Sequence, residues 1–420
     1  MRLGLGVLGM VFAALKGWTP VQRHVVAASY LGWTLDAFDY LLITFVAKDI
    51  AAEFGVSAKA IGLAALLTLG LRPLGAFIFG RLADHYGRRP ILMLDVLLYS
   101  GLAFASAFAP NITVFLILRC LFGIAMGGEW GIGASLTMEH VKPESRGFVS
   151  GLLQTGYPTG SLIAAVASGL LVPHFGWRAL VMASAIPALL VLYIRRTVPE
   201  SPAWTEGQRT RPQAGKTMAV IRSHWKVAIF AVILMSGFNL LSHGTQDFYP
   251  NFLRIQHGFS AGMTGLLGTV AAFGAIFGGL IAGTLSQRFG RRRTISVAAL
   301  TMIPVIPFWV FLFDQPLYLA LSVFVLQFCV QGAWGVVPAH LNELSPPHAR
   351  GTFPGFVYQL GNLAAAGIGL LQASLVEDWH WTYAQALAAD ALFACLLVGI
   401  LINFGPEARN VDMREMARLH

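Results

Sequence analysis

Charge is the scarcest property of this chain. Only 12% of its 420 residues are Asp, Glu, Lys or Arg, against about 25% in an ordinary soluble domain. A surface wetted on all sides cannot be built from so little charge, so a soluble globular fold is excluded. Cysteine is scarce as well. Cys120, Cys329 and Cys395 all fall inside apolar runs without pairing or metal-ligand spacing. They read as small core residues, which excludes a disulfide framework or a thiolate metal centre. Neither a nucleotide-binding loop nor a metal-ligand cluster occurs in the sequence. No cofactor is therefore expected, enzymatic turnover is not expected, and the energy for any work should come from an ion gradient. No segment outside the apolar runs is long enough to fold alone.

What is abundant is apolar length. Hydrophobic residues make up 56% of the chain, and its mean hydropathy is +0.66. Apolar runs of roughly 20 residues recur, each able to cross about 30 Å of hydrocarbon. Twelve are expected, at 24–47, 60–82, 90–109, 112–137, 147–171, 176–194, 226–250, 262–286, 294–313, 317–341, 352–375 and 381–404. The 45 glycines suit closely packed membrane helices. The net charge of +9 suggests nucleic acid at first sight, but its distribution does not. With the N-terminus placed in the cytoplasm, 23 of the 29 Lys and Arg lie in cytoplasmic loops and tails. Only Lys48, Lys59, Arg178 and Arg254 lie outside, and Arg72 and Arg119 lie within spans. This is the positive-inside bias, so a multi-pass protein of a cell (inner) membrane with both termini cytoplasmic is expected, and no nucleic-acid partner. Residues 1–15 look faintly like a signal peptide but lack a small-x-small cleavage site. They are expected to be an interfacial or disordered tail.

The chain also repeats itself. "GGEWGIGASLTMEHVKPESRG" at 127–147 aligns with "QGAWGVVPAHLNELSPPHARG" at 331–351, an offset of 204 that matches Trp130 with Trp334, Glu139 with Glu343 and Arg146 with Arg350. "GRLADHYGRRP" at 80–90 echoes "GTLSQRFGRRR" at 283–293. The expected organisation is a tail (1–23), a six-helix half (24–194), a linker rich in Arg, Pro and Gln (195–225), a second six-helix half (226–404) and a tail (405–420). Duplicated membrane halves commonly build a midplane site that opens alternately to each side. The expected assembly is a monomer in a lipid bilayer.

Ionisable groups inside spans are costly and are functional candidates for that reason. Span 1 carries Asp36, Asp39 and Tyr40 on one face. Span 2 carries Arg72, span 4 carries Arg119 and Glu129, and span 11 carries Gln359 and Asn362 three apart. Arg72 is always charged and needs an anion, either one of these aspartates in a structural ion pair or a substrate carboxylate. Span 7 contains "NLLSHGTQDFYP", 239–250, which sets Asn239, Ser242, His243, Gln246 and Asp247 on one helical stripe. His243 and Asp247 stand four apart, within hydrogen-bonding reach. A His–carboxylate pair in a low dielectric can carry a proton, and the neighbouring amides can donate to a carboxylate. Gly244 and Pro250 would let the helix bend. The offset maps Asp39 onto His243, so a titratable group is expected at comparable depth in both halves. Read this way, an anion and a proton meet in the membrane.

"GRLADHYGRR" resembles the loop between spans 2 and 3 of the major facilitator superfamily; "ESRG" and "PESPAW" fit it too. The resemblance implies an all-α, twelve-helix fold in two pseudo-symmetric halves. It also implies a gating role for Gly80, Asp84, Gly87, Arg88 and Arg89, with Arg146, Gly290, Arg291 and Arg350 as further gate residues. The second copy has Gln287 where the first has Asp84, so a weaker clamp is expected there. Arg119 fits the span-4 arginine of the superfamily. More narrowly, "NLLSHGTQD" resembles the span-7 motif of Jen-type lactate/pyruvate permeases, within the sialate:proton symporter group. "YLGWTLDAFDYLL" resembles that group and the aromatic-acid:proton symporters. The resemblance implies proton-coupled import of a small monocarboxylate such as lactate, pyruvate or acetate. Substrate would be bound by Arg72, Tyr157, Asn239, His243, Gln246, Gln359 and Asn362. Protons would be carried by Asp36, Asp39, His243, Asp247 and Glu129. A sialate or aromatic-acid symporter, an uncoupled sugar or drug carrier, and a non-transporting sensor on the same fold are the rival readings.

Overall fold

The computed structural model describes residues 2–210, 222–407 and 409–413. Every element among them is helical. Of the expected segments, 211–221 of the linker and 414–420 of the C-terminal tail lie outside the described residues. Ten described helical stretches are apolar and long enough to cross a membrane, and one of them, Pro143–Thr197, is long enough to cross twice. The remaining crossing is the 35-residue helix Pro20–Phe54 (span 1), whose apolar character is diluted by its aspartates. The sum is twelve, as the sequence led us to expect.

The helix ends are chemically marked. Span 1 opens on Thr19, whose side chain accepts from Gln22 N in a capping box, with Pro20 at the first turn. Thr382 caps span 12, Tyr383–Leu401, in the same way. Span 2 (Ala58–Tyr86) turns into span 3 (Arg88–Ser106) through a single residue, Gly87, at φ 105°. Span 8 (Ala261–Phe289) turns into span 9 (Arg291–Val310) through Gly290 at φ 96°. Side chains rarely tolerate that backbone region, which accounts for glycine in both loops.

Packing repeats between the halves. Span 1 packs on span 5 as span 7 (Trp225–Gln246) packs on span 11 (Phe353–Glu377). Span 2 packs on span 4 (Ile112–His140) as span 8 packs on span 10 (Pro316–Leu344). Across the seam, span 2 meets span 11 and span 5 meets span 8. Small residues line the seam: a Cβ at Gly131 would strike the backbone of Gly355, and one at Gly147, Gly151 or Gly283 would strike backbone across the contact of spans 5 and 8. Many large apolar side chains, Leu170, Phe175, Leu189 and Phe404 among them, point outward, as expected of a surface solvated by hydrocarbon.

Both chain ends lie on one face of the bundle. Residues 2–15, within the stretch expected as an interfacial or disordered tail, form a helix. It is tied down by Ser145 Oγ donating to Ala14 O at 2.8 Å, with Trp18 Nε1 reaching Ser145 Oγ at 3.4 Å.

Candidate transport site and gate

Spans 4, 7 and 10 are each interrupted, span 7 toward its C-terminal end. Span 4 breaks at Gly127–Gly128 and restarts at Glu129. Span 10 breaks after Trp334 and restarts at Val337. Span 7 is regular through Gln246, breaks at Asp247–Phe248 and resumes with Tyr249–Asn251 and a wide turn, Phe252–Gln256. The expected bend at Pro250 is therefore present, but Gly244 does not make it. Gly244 leaves room instead for Asp390 of span 12, whose carboxyl would collide with a Cβ there. Gln372 Nε2 braces the same turn, donating to Gly244 O at 2.8 Å.

Between the two halves lies a small cavity of about 40 Å³, room for a water or two. It is lined by Arg72 and Tyr157 from one half and by Asn239, His243, Gln246 and Asn362 from the other. Six of the seven expected substrate residues are thus brought together. Gln359 stands behind them, 3.4 Å from the Asn362 amide nitrogen. Arg72, 4% exposed, reaches Asp36 through one end-on contact of 3.4 Å. Its Nε has no partner. A buried guanidinium with spare donors can accept a carboxylate bidentately.

His243 lies between two oxygens, Asp247 Oδ2 at 3.0 Å from Nδ1 and Asn362 Oδ1 at 3.2 Å from Nε2. Both contacts are hydrogen bonds if the ring carries two N–H groups and the carboxylate is ionised. Losing one proton requires the Asn362 amide to turn over or the Asp247 contact to break. The arrangement therefore distinguishes a proton-loaded from an unloaded ring.

The lining also holds groups the sequence reading passed over, among them Trp33, Trp334, Gln331 and Tyr358. Trp33 and Trp334 present indole N–H groups without partners, and Gln331 presents an unpartnered carbonyl. Tyr358 stacks among the tryptophans, 4.6 Å from Trp130 and 5.6 Å from Trp334 between ring centroids. Trp33 lies within "YLGWTLDAFDYLL" and Trp334 inside the repeat; only the fold aims them at the cavity. A larger cleft of about 250 Å³ adjoins it between spans 5, 7, 8 and 10, and shares Tyr157, Gln246 and Gln331.

Other expected residues fall elsewhere. Asp39 is buried away from the cavity, near Ser184 and Arg119, so it does not share the environment of its counterpart His243. One helical turn separates it from Asp36, and the two carboxyls serve different arginines. Glu129 lines a separate crevice beside Ser29 and Gly133.

The face carrying the termini is closed. Asp84 crosses the seam to accept from Gly351 N at 2.7 Å, Thr352 N at 3.1 Å and Thr352 Oγ1 at 2.6 Å. At the corresponding position Gln287 accepts from Gly147 N at 3.3 Å, one longer bond against three. Arg88 joins Asp84 and Glu139, each at 3.3 Å, as Arg291 joins Glu343 at 2.9 Å. Gly80 packs against the backbone of Gly351 and Thr352. Arg89 N and Arg88 N donate to Glu200, and Arg291 N and Arg292 N to Glu407. The role of Glu407 escaped the sequence reading because it stands outside the repeated motifs. The C-terminal segment then lies across the seam: Arg146 donates to Val411 O at 2.6 Å, Arg350 to Met413 O at 3.1 Å, and Gln287 to Asn410 Oδ1 at 2.7 Å. Met413 is 1% exposed, packed with Val149 and Leu153 of one half and Ala339 of the other.

A family model described as the Major Facilitator Superfamily matches residues 25–260 and 248–415. A protein of Cupriavidus pinatubonensis named as a probable 4-methylmuconolactone transporter is 28% identical over 97% of this chain and 95% of its own length. The sialic acid transporter NanX of Escherichia coli is 26% identical, over 94% and 97% respectively. Among solved structures, the proton:xylose symporter XylE superposes with a TM-score of 0.75 at 19% identity, over 95% of this chain and 99% of that one.

Proposed function

Because the chain belongs to the Major Facilitator Superfamily and is a membrane transporter related to organic-acid transporters, we propose that it imports a small monocarboxylate together with a proton by alternating access. The face carrying the termini is the cytoplasmic one in this reading, in accord with the charge bias of the loops. The observation that carries the proposal is the convergence of Arg72, with its unpartnered Nε, and His243 on one cavity between the halves, His243 being held from behind by the half-exposed Asp247 at 3.0 Å. Arg72 takes the carboxylate; Asn239, Gln246 and Asn362 orient it; His243 with Asp247 holds the proton. When the anion takes Arg72, Asp36 loses its partner, and a buried unpaired carboxylate costs several kcal/mol. Asp36 therefore becomes the acceptor for the proton that His243 and Asp247 hold, so one proton still moves with one anion. An uncoupled sugar carrier would have no use for a buried arginine with free donors.

A second reading, that the substrate is a larger acid such as a sialate or an aromatic acid, is favoured by the adjoining cleft of about 250 Å³ and its shared Tyr157. A thermal-stability screen against lactate, pyruvate, acetate, sialate and nicotinate, at about pH 5.5 and about pH 7.5, either side of the histidine range, separates the two. Stabilisation by the small acids, stronger at the lower pH, supports the first reading, and stabilisation by the large ones alone supports the second. No stabilisation by any acid would remove the carboxylate assignment.

A further inference from the structure

The interior of the first half holds more acid than it can balance. Asp36, Asp39, Asp95 and Glu129 are each at most 2% exposed. Among the described residues, the basic groups acting on them there are Arg72 and Arg119. Asp36 contacts Arg72, and Asp39 has Arg119 and Ser184 beside it, although neither Asp39 oxygen is hydrogen-bonded. That leaves Asp95 and Glu129 without a cation of their own. Asp95 is fully buried on span 3 with neither carboxyl oxygen hydrogen-bonded, and Glu129 Oε2 has no partner.

The backbone makes room for both. Gly32 of span 1 stands where any Cβ would strike Glu129, and a Cβ on Gly128 would come within 3.0 Å of Asp95 Oδ1. Gly128 belongs to the break in span 4, so Asp95 sits against the start of the half-helix Glu129–His140. That helix end is worth at most about half a positive charge, and the C-terminal end of Ile112–Met126 meets it there and opposes it. Two full carboxylates there would remain uncompensated, and a dry interior does not hold them. The groups acting on Asp95 are Glu129, Asp36 and Arg72; Tyr99, one turn along span 3, has an unpartnered hydroxyl as well.

Depth orders these groups. At about 1.5 Å per residue, Asp36 lies roughly 24 Å along span 1 from its terminal-face end, Glu129 roughly 16 Å along span 4 and Asp95 roughly 10 Å along span 3. The series descends from the substrate cavity toward the closed face, inside one half and away from the seam that must part to release substrate.

We propose that Asp95 and Glu129 share a proton and form a relay, Asp36 to Glu129 to Asp95, that gives the proton an exit through the first half separate from the substrate's route between the halves. The inference rests on the proton-coupled reading above. In each step an O–H bond on one carboxyl breaks as one forms on the next, so one proton moves and the cluster's total charge is unchanged. Asp95 is used by nothing else in the mechanism.

Two measurements on the full-length protein test it. Infrared spectra at neutral pH read protonated carboxyls whatever the substrate is. The wild type should show their carbonyl band, and Asp95→Asn and Glu129→Gln should each lose part of it. In vesicles given radiolabelled lactate, Asp95→Asn should keep exchange within about twofold of wild type while losing about tenfold or more in the initial rate of pH-driven uptake above protein-free vesicles. Asp95→Glu, which restores a carboxyl, should recover that uptake. A band unchanged in both neutral variants, or wild-type pH-driven uptake in Asp95→Asn, overturns the relay. If lactate is not carried at all, the choice of substrate fails while the infrared arm still decides the proton site. Should Asp95→Asn not fold, Glu129→Gln supplies the same two readouts.

Discussion

Arg72 shows how a single residue limits what the molecule can carry. A buried guanidinium cannot be left without an anion, yet its contact with Asp36 uses one amino group at 3.4 Å. Arg72→Lys keeps the charge and loses the fork. It should lower carboxylate affinity by about tenfold or more, a loss near 1.4 kcal/mol, and Arg72→Ala should abolish binding in calorimetry. Wild-type affinity in Arg72→Ala would remove Arg72 from the site. The His243–Asp247 pair sets the pH dependence. A proton on the pair adds positive charge beside the bound anion, so each ligand favours the other, and the coupling is reciprocal. Affinity should therefore tighten as pH falls from about 7.5 to about 5.5. Asp247→Asn should flatten that dependence while exchange of preloaded substrate survives. Asn362→Leu, which removes the oxygen facing Nε2, should weaken substrate binding at the lower pH more than at the higher. The pair was legible in the sequence because both partners lie on one helix, four residues apart. Trp33, Trp334 and Gln331 were not, since an aromatic or an amide in an apolar span has no address until distant helices pack.

At the scale of the element, spacing reports what a helix or turn does alone and says little of what it meets. The bend near Pro250 is local chemistry and was expected from the sequence; the single-glycine turns and the caps at Thr19 and Thr382 are local chemistry too, though they had not been singled out. Gly244 was misread as a hinge because a glycine's reason can lie on another helix, here the carboxyl of Asp390. The two gate loops give an asymmetry that the Asp84/Gln287 difference did announce. Asp84 accepts three hydrogen bonds across the seam and Gln287 one. Bonds to a charged group contribute about 1.5–3 kcal/mol each. Asp84→Ala should therefore shift the population toward opening on the terminal face by at least about tenfold, and Gln287→Ala by clearly less. The rate of thiol labelling at Ala339→Cys, a buried seam position, with the three native cysteines replaced, reads that shift. Equal rates in the two variants would contradict the asymmetric clamp.

Taken whole, the molecule is closed on its terminal face by the seam and by the C-terminal segment that Arg146 and Arg350 hold across it. These arginines correspond at the repeat offset and belong to opposite halves, so parting the halves must release at least one of the two bonds and expose Met413. Ending the chain after residue 408 should raise thiol labelling at Ala339→Cys and speed substrate release toward that face. Unchanged labelling would show that the segment follows the gate without holding it. Coupled transport, with a carboxylate and a proton loaded together at the cavity of Arg72 and His243, is decided by pH-driven uptake in vesicles containing the protein. The probe is whichever tested acid stabilises it most, and uptake is compared with protein-free vesicles and with Arg72→Ala. The expected result is uptake against the acid's gradient in the wild type, abolished by a protonophore and reduced in Arg72→Ala to the protein-free rate. Uptake that ignores the pH gradient, or that Arg72→Ala leaves intact, would contradict it.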